Sequence, residues 1–184
     1  DPTDTGSGTD TAETPTDTGE PVFAYDSEQI MQNIRDYVQA GGNVYASDWA
    51  YDVVEIGWPA KIDFLGVDDI PDAAQMGEYD IIQAAVADAA LADWLDADFI
   101  EIEYDLPVWP GIDNVSDSVS VHLAGTIQYR EGTTVNTLSA VPLLVSFTGG
   151  SGDTAGKVAF STFRVAKNAN AEVLMSLQFM MYSL

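Results

Sequence analysis

Ser47, Asp48, Asp52 and Glu55 fall within one short stretch of this 184-residue chain, with Trp49 among them. Side chains three or four positions apart are neighbours on a helix, so at least two of these carboxylates are expected on one face. Glycoside hydrolysis needs two carboxyl groups across a cleft, about 5 to 9 Å apart, with unequal proton affinities. Trp49, Trp58 and Trp109 are suited to stack against a sugar. The competing expectation is that the acids favour a helix start electrostatically and that the tryptophans belong to the core or its rim. A serine mechanism needs a base within hydrogen-bonding reach and a group that orients the base. His122 is the only histidine and lies between Val121 and Leu123, on an expected strand whose alternation turns it away from both, toward solvent or a covering loop. Ala46-Ser47-Asp48 also lacks the flanking glycines of a nucleophile elbow. Ser47 is therefore expected to cap its turn and not to pair with His122.

Hard-cation chemistry has two candidate locations. Asp68, Asp69 and Asp72 form a concentrated acidic loop, and residues 1–21 are rich in Asp, Thr, Gly, Glu and Pro. Oxygen ligands of this kind suit calcium, the one cofactor the sequence suggests, but the spacing does not reproduce the alternating acidic loop with its distant glutamate. A solvated loop and a linker are the preferred readings. The chain has no cysteine, which removes disulfides, thiolate metal sites and a thiol nucleophile.

Thirty acidic against six basic side chains give a formal charge of -24. Such a surface repels nucleic acid and anionic membranes. Residues 1–21 contain no large apolar side chain and cannot bury enough surface to offset their ordering entropy. They read as a linker or tail of the kind that tethers surface or secreted bacterial domains. No run reaches the roughly 18 apolar residues needed to span a bilayer. No signal peptide is visible and the first residue is not Met, so a mature or trimmed product is expected. Extracellular or cell-surface placement, in a prokaryotic envelope, follows from these features as an expectation.

Residues 22–184 are expected to form one domain. Ile30, Met31, Ile34, Tyr37 and Val38 recur at helical intervals, with Asp26 or Ser27 as the cap and Gly41-Gly42 as the stop. A strand over residues 43–47 should follow, then helical turns over 50–57 that carry Tyr51, Val53, Val54 and Ile56 inward until Trp58-Pro59 breaks them. Further strands are expected over 61–65, 79–86, 99–104, 119–129, 143–147 and 157–163. Of these, 99–104 alternates apolar and acidic residues, as an edge strand does, and the run 143–147 suits a buried parallel strand. Asp88 is placed to cap a helix over 89–95. A closing helix over 170–184 offers Val173, Leu174, Leu177, Met180, Met181 and Leu184 to the sheet.

The stretches YVQAGGNVYASDW at residues 37–49, PLLVSF at 142–147 and GKVAFSTFRVAKNANAEVLMSLQFMMYSL at 156–184 resemble the class I glutamine amidotransferase-like superfamily. That resemblance implies a flavodoxin-like α/β three-layer sandwich, with a mainly parallel central sheet and antiparallel edge strands. It also implies a nucleophile at the turn after the first strand and a histidine near the end of a late strand. This chain has Ser47-Asp48-Trp49 at the first place and Arg164 at the second, so glutamine hydrolysis is not expected. The opening strand and helix of such a fold are not evident before Val22, so either they are missing or the likeness is partial. The function expected is a non-catalytic binding or structural domain, with Ser47, Asp48, Trp49, Asp52, Glu55 and Arg164 as its candidate ligand-binding residues. Its alternatives are a carboxylate-dependent hydrolase around Asp48 and a calcium-dependent adhesive or assembly module. A homo-oligomer or a cell-surface partner engaged through residues 1–21 completes the expectation.

Overall fold

A computed structural model describes residues 27–67, 73–164 and 170–184. The acidic segment 1–21, the cluster Asp68, Asp69 and Asp72, and the cap candidate Asp26 lie outside the described residues. Helix α1, Ser27–Gln39, buries Met31 and Val38. It stops at the glycine pair, where Gly41 has a φ of 97° and the Gly41 and Gly42 N–H groups return to Val38 and Tyr37. Glycine takes this left-handed geometry without a Cβ penalty. Strand β1, Val44–Ser47, follows, then a 3-10 turn, Asp48–Ala50, and helix α2, Tyr51–Gly57. Tyr51 and Val54 are buried, but Ile56 is exposed and Val53 only half-buried. Positions 51 and 54 share a helix face that 56 does not.

Six strands form the main sheet in the order β1-β8-β7-β6-β3-β4. Here β3 is Asp80–Val86, β4 Phe99–Tyr104, β6 Ser120–Glu131, β7 Thr134–Thr148 and β8 Lys157–Ser161. A separate pair joins β2, Ile62–Phe64, to β5, Ile112–Val115. The α/β class holds, but the mainly parallel sheet does not. Only β1 and β8 run parallel, and the other four pairings are antiparallel. The connections explain this. A parallel neighbour needs a crossover of a dozen or more residues, whereas β6 turns into β7 at Gly132, with φ 60°, and β7 reaches β8 through the loop 149–156. The apolar run 143–147 is thus a buried strand antiparallel to both its neighbours.

Helix α3, Ala89–Leu95, is capped by the Asp88 side chain, which accepts from the Ala90 and Leu91 N–H groups. Helix α4, Ala171–Ser183, is capped by Asn170. Together they cover one face of the sheet, where Leu91, Ile100, Leu143, Val173 and Met180 share a core. The opposite face packs Val145, Val158 and Phe160 against Val38, Tyr51 and Val54 of α1 and α2 and against Phe64 and Ile112 of the strand pair. Truncating a fully buried Leu91 to alanine in such a core costs about 2 to 5 kcal/mol. On α4 the buried stripe is Val173, Leu177 and Met180, so Leu174 and Met181, expected inward, are exposed. Among the described residues no helix is long and apolar enough to cross a membrane.

Strand polarity divides the chemistry. β1, β8, β6 and β4 run one way while β7 and β3 run the other. The exits of β1, β8 and β4 therefore share one end of the sheet. The entry of β6 and the exits of β3 and β7 share the other.

Candidate functional site at the strand ends

Asp48, directly after β1, has a φ of 53°. A non-glycine residue in the left-handed region costs about 1 kcal/mol or more, and such strain gathers at ligand clamps and active sites. Because β8 lies parallel beside β1, its own exit brings Arg164 next to Asp48, with Nε 4.0 Å from Oδ2. The Arg164 Nη2 also donates to both carboxylate oxygens of Asp105, at 3.2 and 3.4 Å. Asp105 follows β4, which the strand polarity delivers to the same end.

The floor beneath these charges is buried and hydrogen-bonded. Tyr104 is buried, and its hydroxyl lies 2.7 Å from Thr162 Oγ1. Burial pushes the Tyr104 phenol up. Trp109 stacks on Tyr104 with ring centres 3.9 Å apart and donates Nε1–H to the Glu78 carbonyl at 2.9 Å. From β1, Tyr45 donates to Ser161 Oγ at 2.7 Å, because the Ser161 hydroxyl is committed to the Phe163 carbonyl at 2.6 Å.

Asp48, Glu103, Tyr104, Asp105, Trp109 and Arg164 line a half-open pocket of about 20 Å³, room for about one water-sized group. Within this shell Asp48 Oδ1 is buried and has no hydrogen-bond partner among the described residues. Three carboxylates face one guanidinium there. Burial pushes the Asp48 carboxyl up; the Arg164 charge and the Trp49 N–H pull it down without cancelling that effect, and Asp105 adds to the rise. The site therefore favours a group that brings positive charge or N–H donors to Oδ1.

The expected residues separate into two sets. Asp48 and Arg164 come together, with Ser47 paired in register to Ser161 one step back along the strands. Trp49 is partly exposed, its ring 5.6 Å from that of Tyr51. Asp52 and Glu55 do not line the cavity with Asp48, and Glu55 is 7% exposed on α2. Asp52 and Glu55, three apart on α2, do share a helix face, but the acids that join Asp48 at the cavity are Glu103 and Asp105. Nor do the tryptophans share a floor: Trp58 packs in the α1/α2-side core and Trp109 in the α3/α4-side one. Asp105 and Glu103 escaped the sequence reading, although the alternation of 99–104 implied a wet face for Glu103. No group of three or more His, Asp or Glu residues is placed to hold a metal among the described residues.

At the opposite end of the sheet, His122 is 6% exposed, not turned toward solvent. The face opposite Val121 is covered by α4, whose Phe179 ring lies 6.5 Å away, and register shifts on both sides of Leu123 break the simple alternation. His122 Nδ1 is 2.6 Å from Asp88 Oδ2 and its Nε2 is 2.8 Å from Ser146 Oγ. Its serine partner is Ser146, not Ser47. A signal was present: Ser146 is a hydroxyl inside the apolar run LLVSF, and a buried hydroxyl demands a partner. No protein-family profile matches the chain, and no curated protein matches it significantly.

Proposed function

We propose that this chain is a binding domain working outside the cytoplasm, carried on its acidic segment 1–21, and that its strand-end centre receives a primary ammonium group instead of hydrolysing glutamine. The carrying observation is the buried Oδ1 of Asp48, without a hydrogen-bond partner among the described residues, on a left-handed residue beside a cavity the size of one ammonium head. Desolvation makes a lone carboxylate oxygen costly, and a charge-assisted N–H bond offsets that cost better than a neutral donor. The net negative lining and the stacked Tyr104 and Trp109 rings favour the same ligand, since an aromatic face attracts a cation.

Kinship with the amidotransferase-like superfamily belongs to this proposal. It is supported by the helix end, strand and strained turn over residues 27–50 and by the meeting of Asp48 with Arg164, the two positions where that chemistry would lie. A ligand of this class could be a free amine or the lysine of a surface partner. Nucleic acid is disfavoured by a charge of -24. A carboxylate hydrolase is less well supported, because Asp52 and Glu55 do not line the pocket with Asp48 and the three tryptophans do not share its floor.

Thermal denaturation with n-butylammonium chloride, against sodium chloride at equal ionic strength, tests the reading. A ligand selective for the native state stabilises by about 2.7 kcal/mol at one hundred times its Kd. Concentration-dependent stabilisation of the wild type that is lost in Asp48→Asn supports the proposal. Equal behaviour of the two salts refutes it.

A further inference from the structure

We infer that Asp88, His122 and Ser146 form a second, separate site that transfers the acyl group of small carboxylic esters to Ser146 and then to water. The contacts carry the inference. Ser146 Oγ is 2.8 Å from His122 Nε2, and His122 Nδ1 is 2.6 Å from Asp88 Oδ2. A nucleophile within reach of a base, with that base held by a third group, is the arrangement that activates a serine. The tautomer is also assigned. Burial raises the Asp88 carboxyl, but the His122 bond and the Ala90 and Leu91 N–H groups outweigh it and hold the group below the usual carboxylate range. An ionised Asp88 can only accept, so neutral His122 carries its proton on Nδ1 and offers Nε2 to the serine.

Each residue is set by a different element. Ser146 lies two residues before the end of β7, directly opposite Ser120 of β6. His122 lies two residues inside β6, and Asp88 is fixed by its bonds to the first turn of α3. The array opens onto a cleft of about 280 Å³ whose walls include Ser118, Ser120, Thr148, Lys157, Phe179 and Ser183. That volume admits a small acyl group and a small alcohol. Lys157 is the cation of the wall, donating to the Ser183 carbonyl at 2.6 Å, and Lys61 reaches the rim through Ser118 at 2.7 Å. Lys157 on the wall favours the negative charge that develops on an ester's carbonyl oxygen during reaction.

The chemistry balances with water as the only co-reactant. Ser146 Oγ bonds to the ester carbonyl carbon while His122 Nε2 takes the hydroxyl proton. The tetrahedral adduct collapses, the carbon–alkoxide bond breaks, and the alcohol leaves with the proton from His122. A water molecule then attacks the acyl-serine, again losing its proton to His122, and the carboxylic acid departs as Ser146 regains its hydrogen. Asp88 acts as a positioning residue throughout.

The test uses the full chain with diisopropyl fluorophosphate and with p-nitrophenyl acetate. Mass spectrometry of the folded wild type should show one phosphoryl adduct, at Ser146, formed faster in mild base than in acid, because His122 Nε2 must be unprotonated to take the serine proton. Among the described residues, the charged groups at the cleft with that ring are Asp88 from the start of α3 and Lys157 from β8, and α4 contributes the neutral Phe179. Ser146→Ala should lower ester hydrolysis at least 100-fold. Asp88→Asn, which retains a good capping side chain, should lower it at least 10-fold and move the pH midpoint, with Asp88→Glu restoring part of the rate. Absence of a Ser146 adduct in folded wild type overturns the inference, and so does labelling with no pH dependence, whether or not any variant folds.

Discussion

Replacing Asp48 by asparagine removes one charge from the strand-end cavity while keeping shape, hydrogen-bonding size and tolerance of the left-handed backbone, which Asn adopts more readily than most residues. Asp48 has a raised pKa because burial outweighs the Arg164 charge 4.0 Å away. Its folded value therefore lies above its unfolded one. Below the unfolded value the group is neutral in both states and imposes no penalty; as pH climbs through the folded value the native state loses stability, and the loss persists at neutral pH. Arg164 keeps its bonds to Asp105, so the variant leaves that cation paired. Relief of strain or repulsion at a ligand site gives about 1 kcal/mol, which at this chain length is about 2 to 4 °C in Tm. Asp48→Asn should thus melt higher than wild type at pH 7.5 and no higher at pH 3. Asp48→Ala should melt below Asp48→Asn at both pH values, because alanine has no polar side chain to support a φ of 53°. Calorimetry of the three proteins at the two pH values decides it. If Asp48→Asn melts lower at pH 7.5, Asp48 is a stabilising strut for Arg164 and the reasoning fails.

Other expectations follow from single contacts. Gly156→Ala should destabilise by about 1 to 3 kcal/mol, because its Cβ would lie 1.9 Å from the Gly42 carbonyl oxygen; urea unfolding with an unchanged slope would check this. Asp88→Ala should cost about 2 to 4 kcal/mol, the sum of a lost cap and a buried His122 nitrogen left unpaired, while Asp88→Asn should cost less than half as much. Since the Asp88 pKa is depressed, this stabilisation is full above the unfolded value and is lost as pH falls through the folded one, so the gap between wild type and Asp88→Asn should close in acid. Asn170→Ala removes the α4 cap on Val173 and the bond to the Glu101 carbonyl and should cost about 1 kcal/mol by chemical denaturation. Calcium titrated to millimolar levels should raise the melting midpoint if Asp68, Asp69 and Asp72 form the cation site; a flat midpoint removes that reading.

Local signals carried much of the fold. The helix Ala89–Leu95 and its Asp88 cap were legible because the cap, the apolar run and the flanking turn lie within ten residues. Gly41 announced the end of α1 for the same reason. Strand direction was not legible, because a buried run such as PLLVSF has the same composition in either orientation. Pro142 sits inside β7 opposite Ala124, next to register shifts, where a missing N–H is tolerated. The strand-end site was half legible. Asp48 and Arg164 were singled out from the turn and the late strand, but Asp105 joins them only because the sheet delivers β4 to the same end. The burial of His122 depends on α4, some fifty residues later, and no pattern around residue 122 reveals that cover.

The most direct test of the strand-end account is a ¹H–¹⁵N titration of the protein with methylammonium chloride, referenced to sodium chloride. The account predicts saturable shifts of the Trp49, Asp105 and Thr162 amides and of the Arg164 side chain in wild type, absent in Asp48→Asn. Identical spectra in the two salts, or saturable shifts that survive in Asp48→Asn, would contradict it.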